Sequence, residues 1–118
     1  MIFAVVEDRT FIDLIERAAK EEGAFCRFFR DEASLVLGFN EEKPRFILLD
    51  IAASFLDGPT WVEKLKQDAQ TRNIPLIVFG SSVRADLMQD AKELGADKVL
   101  PKSAFRGQLP ELLKHYLK

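Results

Sequence analysis

The chain of 118 residues is poor in the features that mark several large classes of protein. Its single cysteine, Cys26, cannot form a disulfide within the chain, which fits a reducing compartment. Its 17 basic and 19 acidic residues nearly balance, which gives no reason to expect nucleic acid or an anionic membrane as a partner. No apolar run approaches the ~20 residues that cross a bilayer, and the N-terminus turns acidic at Glu7 without the pattern of a secretory signal. These absences predict a small cytoplasmic domain.

Length and composition favour one domain over residues 1–118. Apolar residues make up 47% of the chain and charged residues 31%, which is the ordinary mixture for a folded globular domain. A chain of 118 residues is close to the commonest domain size, so two domains would be cramped. We see no linker, repeat or low-complexity segment that would divide it.

Five short apolar segments have the pattern of strands that are buried on both faces. Each is followed by a stretch in which apolar residues recur with helical spacing. The first helical stripe, which Gly23 ends, consists of Phe11, Leu14, Ile15 and Ala18. The predicted strands are residues 2–6, 24–29, 46–49, 76–79 and 98–100.

Single residues predict further details of the helices. Asp31 is placed to cap the second helix. Ala69 is expected on the inner side of the third helix, and Val83 on the inner side of the fourth. Pro110 lies within the last apolar stripe, where it predicts a kink or a late start of that helix.

The alternation of strands and helices predicts the fold class. Strands that are apolar on both faces imply a parallel sheet with helices on each side. Right-handed crossovers restrict the topology to an open, doubly wound α/β sheet. Ligands bind such sheets beyond the carboxyl ends of the strands, so the residues that follow each strand are the candidates for a site.

Charged and polar side chains follow most of the predicted strands, and we expect them at one edge of the sheet. Three neighbouring carboxylates repel one another unless a cation lies among them, and oxygen ligands with room for water suit Mg²⁺. Lysine is a point-charge partner for phosphate oxygens. A carboxylate, a divalent metal and a lysine are the parts needed to move a phosphoryl group onto the carboxylate. The residues that follow the predicted strands, and so the candidates for this edge, are Glu7, Asp8, Asp50, Gly80, Ser81 and Lys102.

In these motifs the whole chain resembles the receiver domains of bacterial two-component response regulators. The motifs are Glu7-Asp8, the segment from Leu48-Leu49-Asp50 to Asp57-Gly58, and Gly95-Ala96-Asp97 leading to Lys102. Each motif is weak alone, and together they are specific. The resemblance implies a flavodoxin-like (βα)₅ fold with strand order 2-1-3-4-5.

The resemblance also implies a role for each site residue. Asp50 would accept a phosphoryl group from the histidine of a sensor kinase or a phosphotransfer protein, so the domain would be regulatory and not an enzyme. Mg²⁺ would be held by Glu7, Asp8, Asp50 and the backbone carbonyl of Ala52, and Lys102 would contact the phosphoryl oxygens. The signal would pass by docking to a downstream effector protein, with the domain itself a monomer or a weak homodimer.

The sequence departs from the family pattern in its switch residues. Gly80 stands where a threonine or serine hydroxyl usually contacts the phosphoryl group, and Val99 stands where an aromatic ring usually responds to it. Ser103 and Ser54 replace two usual prolines, one after the lysine and one in the loop after the acceptor. Ser81 could supply the hydroxyl that Gly80 lacks.

Two other classes of function stay open at this stage. A pseudo-receiver would use the same fold as an interaction module without phosphorylation, and the departures at Gly80, Val99 and Ser103 favour it. An enzyme on the same architecture would be a flavin-binding protein or a haloacid-dehalogenase-type phosphatase. Glu7 and Asp8 would repel a flavin phosphate, and the phosphatase pattern requires a second aspartate where this chain has Arg9 or Thr10.

Overall fold

The structure, a computed structural model, describes residues 1–117. Along these residues five strands alternate with five α-helices, and a single 3-10 turn (Ser82–Arg84) precedes the fourth helix. The strands are β1 (Ile2–Val5), β2 (Cys26–Phe28), β3 (Phe46–Asp50), β4 (Leu76–Gly80) and β5 (Lys98–Pro101). The helices are α1 (Arg9–Glu21), α2 (Glu32–Glu41), α3 (Gly58–Gln67), α4 (Ala85–Glu93) and α5 (Lys102–Tyr116).

The strands form one parallel sheet in the order β2-β1-β3-β4-β5, which confirms the predicted fold class and strand order. The chain leaves β1 toward β2 and then returns past β1 to β3, so the strand order reverses between β1 and β3. This reversal is the switch point at which ligands of doubly wound sheets bind. The register sets Asp50, the last residue of β3, beside Phe79 of β4.

Two helical layers cover the sheet, and each encloses an apolar core. One core packs α1 and α5 against the side chains of Ala4, Leu48 and Phe79. The other packs α2, α3 and α4 against side chains that alternate with these, such as Val5 and Leu49. Residues of β1, β3 and β4 are buried throughout, so the three central strands lie between two apolar layers.

Aspartates cap the first turns of three helices: Asp8 and Asp31 lie shortly after the ends of β1 and β2, and Asp57 ends the loop that follows β3. The side chains of Asp8, Asp31 and Asp57 accept hydrogen bonds from backbone N–H groups in the first turns of α1, α2 and α3. The predicted cap at Asp31 is therefore confirmed. The caps at Asp8 and Asp31 hold the starts of α1 and α2 close to the carboxyl ends of β1 and β2.

Three details of the sequence prediction are wrong. Ala69 is exposed beyond the end of α3, because Asp68 is extended and its side chain accepts from the N–H of Gln70 in a turn. Val83 is 84% exposed, because the 3-10 turn delays the start of α4 to Ala85. The late start that Pro110 suggested for the last helix is also wrong: the helix begins at Lys102 and includes Pro110, and buried apolar residues such as Phe105 and Leu109 anchor its early turns.

The lone thiol lies in a protected part of the sheet. Cys26 of β2 is half-buried against the core beneath α1 and α5. Burial, together with the negative charge of Glu16, raises the pKa of the Cys26 thiol to about 12.

We therefore expect Cys26 to react slowly with a thiol reagent while the protein is folded. At pH 8 the shift lowers the thiolate fraction roughly a thousandfold relative to an exposed cysteine, and the thiolate is the reactive form. Labelling with Ellman's reagent should be at least about a hundredfold slower in buffer than in concentrated urea. Equal rates in the two conditions would show that Cys26 is accessible and ionised in the folded protein.

Candidate functional site

Asp50 is a buried carboxylate at the carboxyl end of β3, with only 4% of its surface exposed. Burial is the largest influence on the pKa of this carboxyl and raises it, because the charged form loses water. The backbone N–H of Ala52 donates a 3.1 Å hydrogen bond to Oδ1 and opposes the rise, as does the charge of Lys102. Glu7 and Asp8 are near enough to raise the pKa further.

Lys102, the first residue of α5, brings a positive charge to this edge. Its Nζ lies 3.8 Å from Oδ2 of Asp8 and 5.3 Å from the centre of the Phe11 ring. The other carboxylate oxygen of Asp8 caps α1 by accepting from the N–H of Thr10 at 2.9 Å. Asp8 therefore serves both the helix start and the charge balance of the site.

An aromatic stack lies beneath these charges. Phe79 of β4 stacks on Phe105 of α5 at 4.1 Å between ring centres, and Phe11 of α1 stacks on Phe79 at 5.6 Å. Besides Lys102, the guanidinium of Arg106 lies 5.5 Å from the centre of the Phe11 ring. Sequence reasoning placed the three rings on a strand and two helices, but nothing in their spacing indicated that they stack. The stack fixes α1 and α5 beside β4 and so positions Asp8 and Lys102.

Glu7 is bound by a residue of another loop. Ser54, in the loop between β3 and α3, donates hydrogen bonds from its backbone N–H to Oε1 at 3.4 Å and Oε2 at 3.3 Å. Its hydroxyl also donates to Oε2. In the sequence Ser54 is visible only as a departure from a proline; its two donors are a signal that could have indicated the contact.

The donor chemistry at this edge fits Mg²⁺, whereas the arrangement of the carboxylates is not that of an assembled metal site. Three carboxylates and the backbone carbonyl of Ala52 are hard oxygen ligands of the kind that this ion prefers. Within residues 1–117, however, no three carboxylate, imidazole or thiol side chains are grouped so as to hold a metal. The contacts explain this: Glu7 is bound to Ser54, and Asp8 is shared between Thr10 and Lys102.

The space beside Gly80 is filled by Ile51. A Cβ atom built on Gly80 would lie 2.7 Å from Cγ2 of Ile51, which is too close for any side chain unless Ile51 moves. Ile51 is itself confined, because its side chain is buried in the core beneath α2, α3 and α4. The backbone at Gly80 does not have a positive φ. A hydroxyl-bearing residue at position 80 is therefore opposed by packing and not by backbone conformation.

Of the remaining sequence candidates, Ser81 follows β4, Val99 lies in β5 and Ser103 lies at the start of α5. The hydroxyl oxygen of Ser81 accepts from the N–H of Val83 at 3.4 Å and so caps the 3-10 turn, which leaves its proton available to another acceptor. Val99 is half-buried against the core beneath α2, α3 and α4. Ser103 is exposed in the first turn of α5.

The segment from Gly95 to Asp97 connects α4 to β5 and stabilises the fold away from Asp50. Gly95 ends α4 with a φ of 104°, which an L side chain rarely adopts. The Asp97 carboxylate accepts from the N–H of Leu76 at 2.7 Å and lies 2.5 Å from Nζ of Lys66. These contacts tie the start of β5 to the start of β4, at the opposite edge of the sheet from Asp50.

Comparison with known proteins identifies the family. The sequence matches the family model of the response regulator receiver domain over residues 2–114. It is 29% identical over 101 residues to the DNA-binding transcriptional regulator NtrC of Proteus hauseri, a match that covers 86% of this chain. The chain spans 21% of the length of that relative.

Two solved structures share the fold at low identity. The phosphorylated cyanobacterial phytochrome response regulator RcpA is 24% identical, with a TM-score of 0.83 over 99% of this chain and 93% of that chain. The receiver domain of the sensor histidine kinase PA1611 of Pseudomonas aeruginosa, with a magnesium ion coordinated in its active-site cleft, is 20% identical. Its TM-score is 0.78, over 98% of this chain and 95% of that one. By the match over nearly its whole length, the chain belongs to the response regulator receiver domains of two-component signalling.

Proposed function

We propose that this chain, as one domain over residues 1–118, accepts a phosphoryl group on Asp50 and signals by docking to another protein. The observation that carries the proposal is the buried Asp50 carboxylate at the switch point of the sheet, with Lys102 and two further carboxylates in its electrostatic surroundings. The phosphorylated state of RcpA supports the same chemistry in a domain of this fold.

The groups around Asp50 suit the transfer. A carboxylate oxygen of Asp50 forms a bond to phosphorus as the bond from phosphorus to the donor's imidazole nitrogen breaks. Burial keeps water away and makes the carboxylate more basic, and the Ala52 N–H orients it. Lys102 places positive charge where the phosphoryl oxygens gather negative charge.

Glu7, Asp8, Asp50 and the carbonyl of Ala52 are the residues that would hold Mg²⁺. The magnesium ion in the receiver domain of PA1611 supports this assignment. When bound, the ion would neutralise charge on the phosphoryl oxygens and on the three carboxylates. Ser81 is the residue that would offer a hydroxyl in place of the one missing at Gly80.

The partners follow from the same proposal. The phosphoryl donor is the histidine of a sensor kinase or a phosphotransfer protein in the cytoplasm, and the recipient of the signal is a downstream effector protein. The domain acts as a monomer or a weak homodimer. Its net charge of −2 gives it no electrostatic attraction to nucleic acid, and no helix in the described part of the chain has the length and apolar character that crossing a membrane requires.

A second candidate is an interaction module that works without phosphorylation. Two observations favour it: Ile51 fills the space in which a side chain at position 80 would lie, and Ser54 holds Glu7. The two candidates differ in whether Asp50 is ever modified.

We expect Asp50→Asn to abolish labelling by a small phosphodonor. Wild type incubated with acetyl phosphate and Mg²⁺ should gain the mass of one phosphoryl group, and the beryllofluoride complex should give a ¹⁹F signal that Asp50→Asn lacks. Asp57→Asn is the matched control, because it removes a carboxylate from the loop after β3 while asparagine still caps α3. If wild type and Asp50→Asn behave alike with both reagents, the interaction module is the correct function.

We expect Gly80 and Ile51 to be energetically coupled. Gly80→Thr alone should lower the free energy of unfolding by about 1–3 kcal/mol through overpacking, and Ile51→Ala alone by about 2–5 kcal/mol through the cavity it leaves. The loss in free energy of unfolding for the double variant should be smaller than the sum of the two single losses by at least ~1 kcal/mol, because the alanine leaves room for the threonine. Urea denaturation measures all three.

Gly107 provides the control for this cycle. Beyond its chain neighbours and the backbone of its own helix, no atom lies within 4 Å of a Cβ built on Gly107, so Gly107→Ala should combine additively with Ile51→Ala. Additivity of Gly80→Thr with Ile51→Ala would mean that Ile51 does not occupy the space beside Gly80.

A further inference from the structure

The contact between Ser54 and Glu7 joins two loops at the metal-binding edge. The residues are 47 positions apart, Glu7 two residues after the end of β1 and Ser54 four residues after Asp50. Both carboxylate oxygens of Glu7 accept hydrogen bonds from Ser54: the backbone N–H donates to both, and the hydroxyl donates to Oε2.

This contact draws Glu7 toward the loop after β3. Both carboxylate oxygens of Glu7 are hydrogen-bonded to Ser54. The three carboxylates of the site are not grouped so as to hold a metal. A divalent cation that binds Glu7 must therefore weaken the contact with Ser54 or replace it. Both side chains are exposed, so the contact can open without disturbing the core.

We propose that Ser54 is a positioning residue that competes with Mg²⁺ for Glu7 and thereby lowers the affinity of the site for the metal. The proposal rests on the proposed function, because it assumes that Glu7 is one of the metal ligands. Ser54 acts as a clasp on Glu7: closed in the metal-free domain and opened when the ion binds. The clasp also ties the loop after β3 to the end of β1, so metal binding releases that loop.

A purely structural role for Ser54 has a different signature. If the contact only stabilises the fold, removing the hydroxyl lowers the melting temperature and leaves the Mg²⁺ affinity unchanged. If Ser54 competes with the metal, the same change lowers the melting temperature of the metal-free protein and raises the affinity. The affinity for Mg²⁺ is therefore the deciding measurement, and it does not require phosphorylation.

The experiment is a Mg²⁺ titration followed by the amide signals of Asp8 and Ala52 in ¹H–¹⁵N spectra. Ser54→Ala should bind Mg²⁺ about threefold to tenfold more tightly than wild type, the factor that one exposed hydrogen bond to a carboxylate carries. Ser54→Thr keeps both donors and should restore the wild-type affinity. Ser34→Ala is the matched control: it removes a serine hydroxyl that donates to the backbone of Asp31 and should leave the affinity unchanged.

Two results would overturn the proposal, and they differ in whether the assigned Mg²⁺ site also fails. If wild type binds Mg²⁺ and Ser54→Ala binds it no more tightly, the clasp is wrong while the metal site stands. Asp8→Asn, which keeps the cap of α1 but removes a ligand charge, should in that case still weaken binding. If no variant binds Mg²⁺ at these amides, the assigned metal site fails and the clasp with it.

Discussion

The burial of one carboxylate, Asp50, is the constraint on which the rest of the site depends. Placing it at the end of the central strand β3 removes most of its water and raises its pKa. The Ala52 N–H and the charge of Lys102 oppose this cost, while the charges of Glu7 and Asp8 add to it. The aromatic stack matters for this reason, because it holds α1 and α5 where Asp8 and Lys102 reach the same edge.

Two departures from the family pattern flank Asp50 and act in different ways. At position 80 Ile51 fills the space in which a side chain would lie. A hydroxyl-bearing residue, which is usual in the family at this position, is therefore absent from the sequence and also opposed by packing. At position 54 a serine adds donors that bind Glu7. We expect the first change to limit how far a signal at Asp50 travels toward α4. The second, as we propose, limits how readily the metal binds.

Much of the fold could be predicted from sequence because it depends on periodic patterns. Apolar runs and helical stripes indicated the parallel sheet, and its topology placed the acidic residues at one edge. The errors arose where local hydrogen bonding overrides the pattern, as in the Asp68 turn that ends α3 before Ala69. The clasp at Ser54 and the fit of Ile51 beside Gly80 depend on distances between loops, which no single-sequence pattern encodes.

We propose that Asp50 binds the phosphoryl group while the family's usual relay through position 80 and strand β5 is absent. The most direct test is the ¹H–¹⁵N spectrum of the wild-type domain before and after addition of beryllofluoride with Mg²⁺. We expect large shifts for the amides of Asp50, Ala52 and Lys102 and small shifts for those of Leu87 and Val99. A ligand shifts a conformational equilibrium only by its differential affinity for the two states. Large shifts at Leu87 and Val99, or none at Asp50, would contradict this proposal.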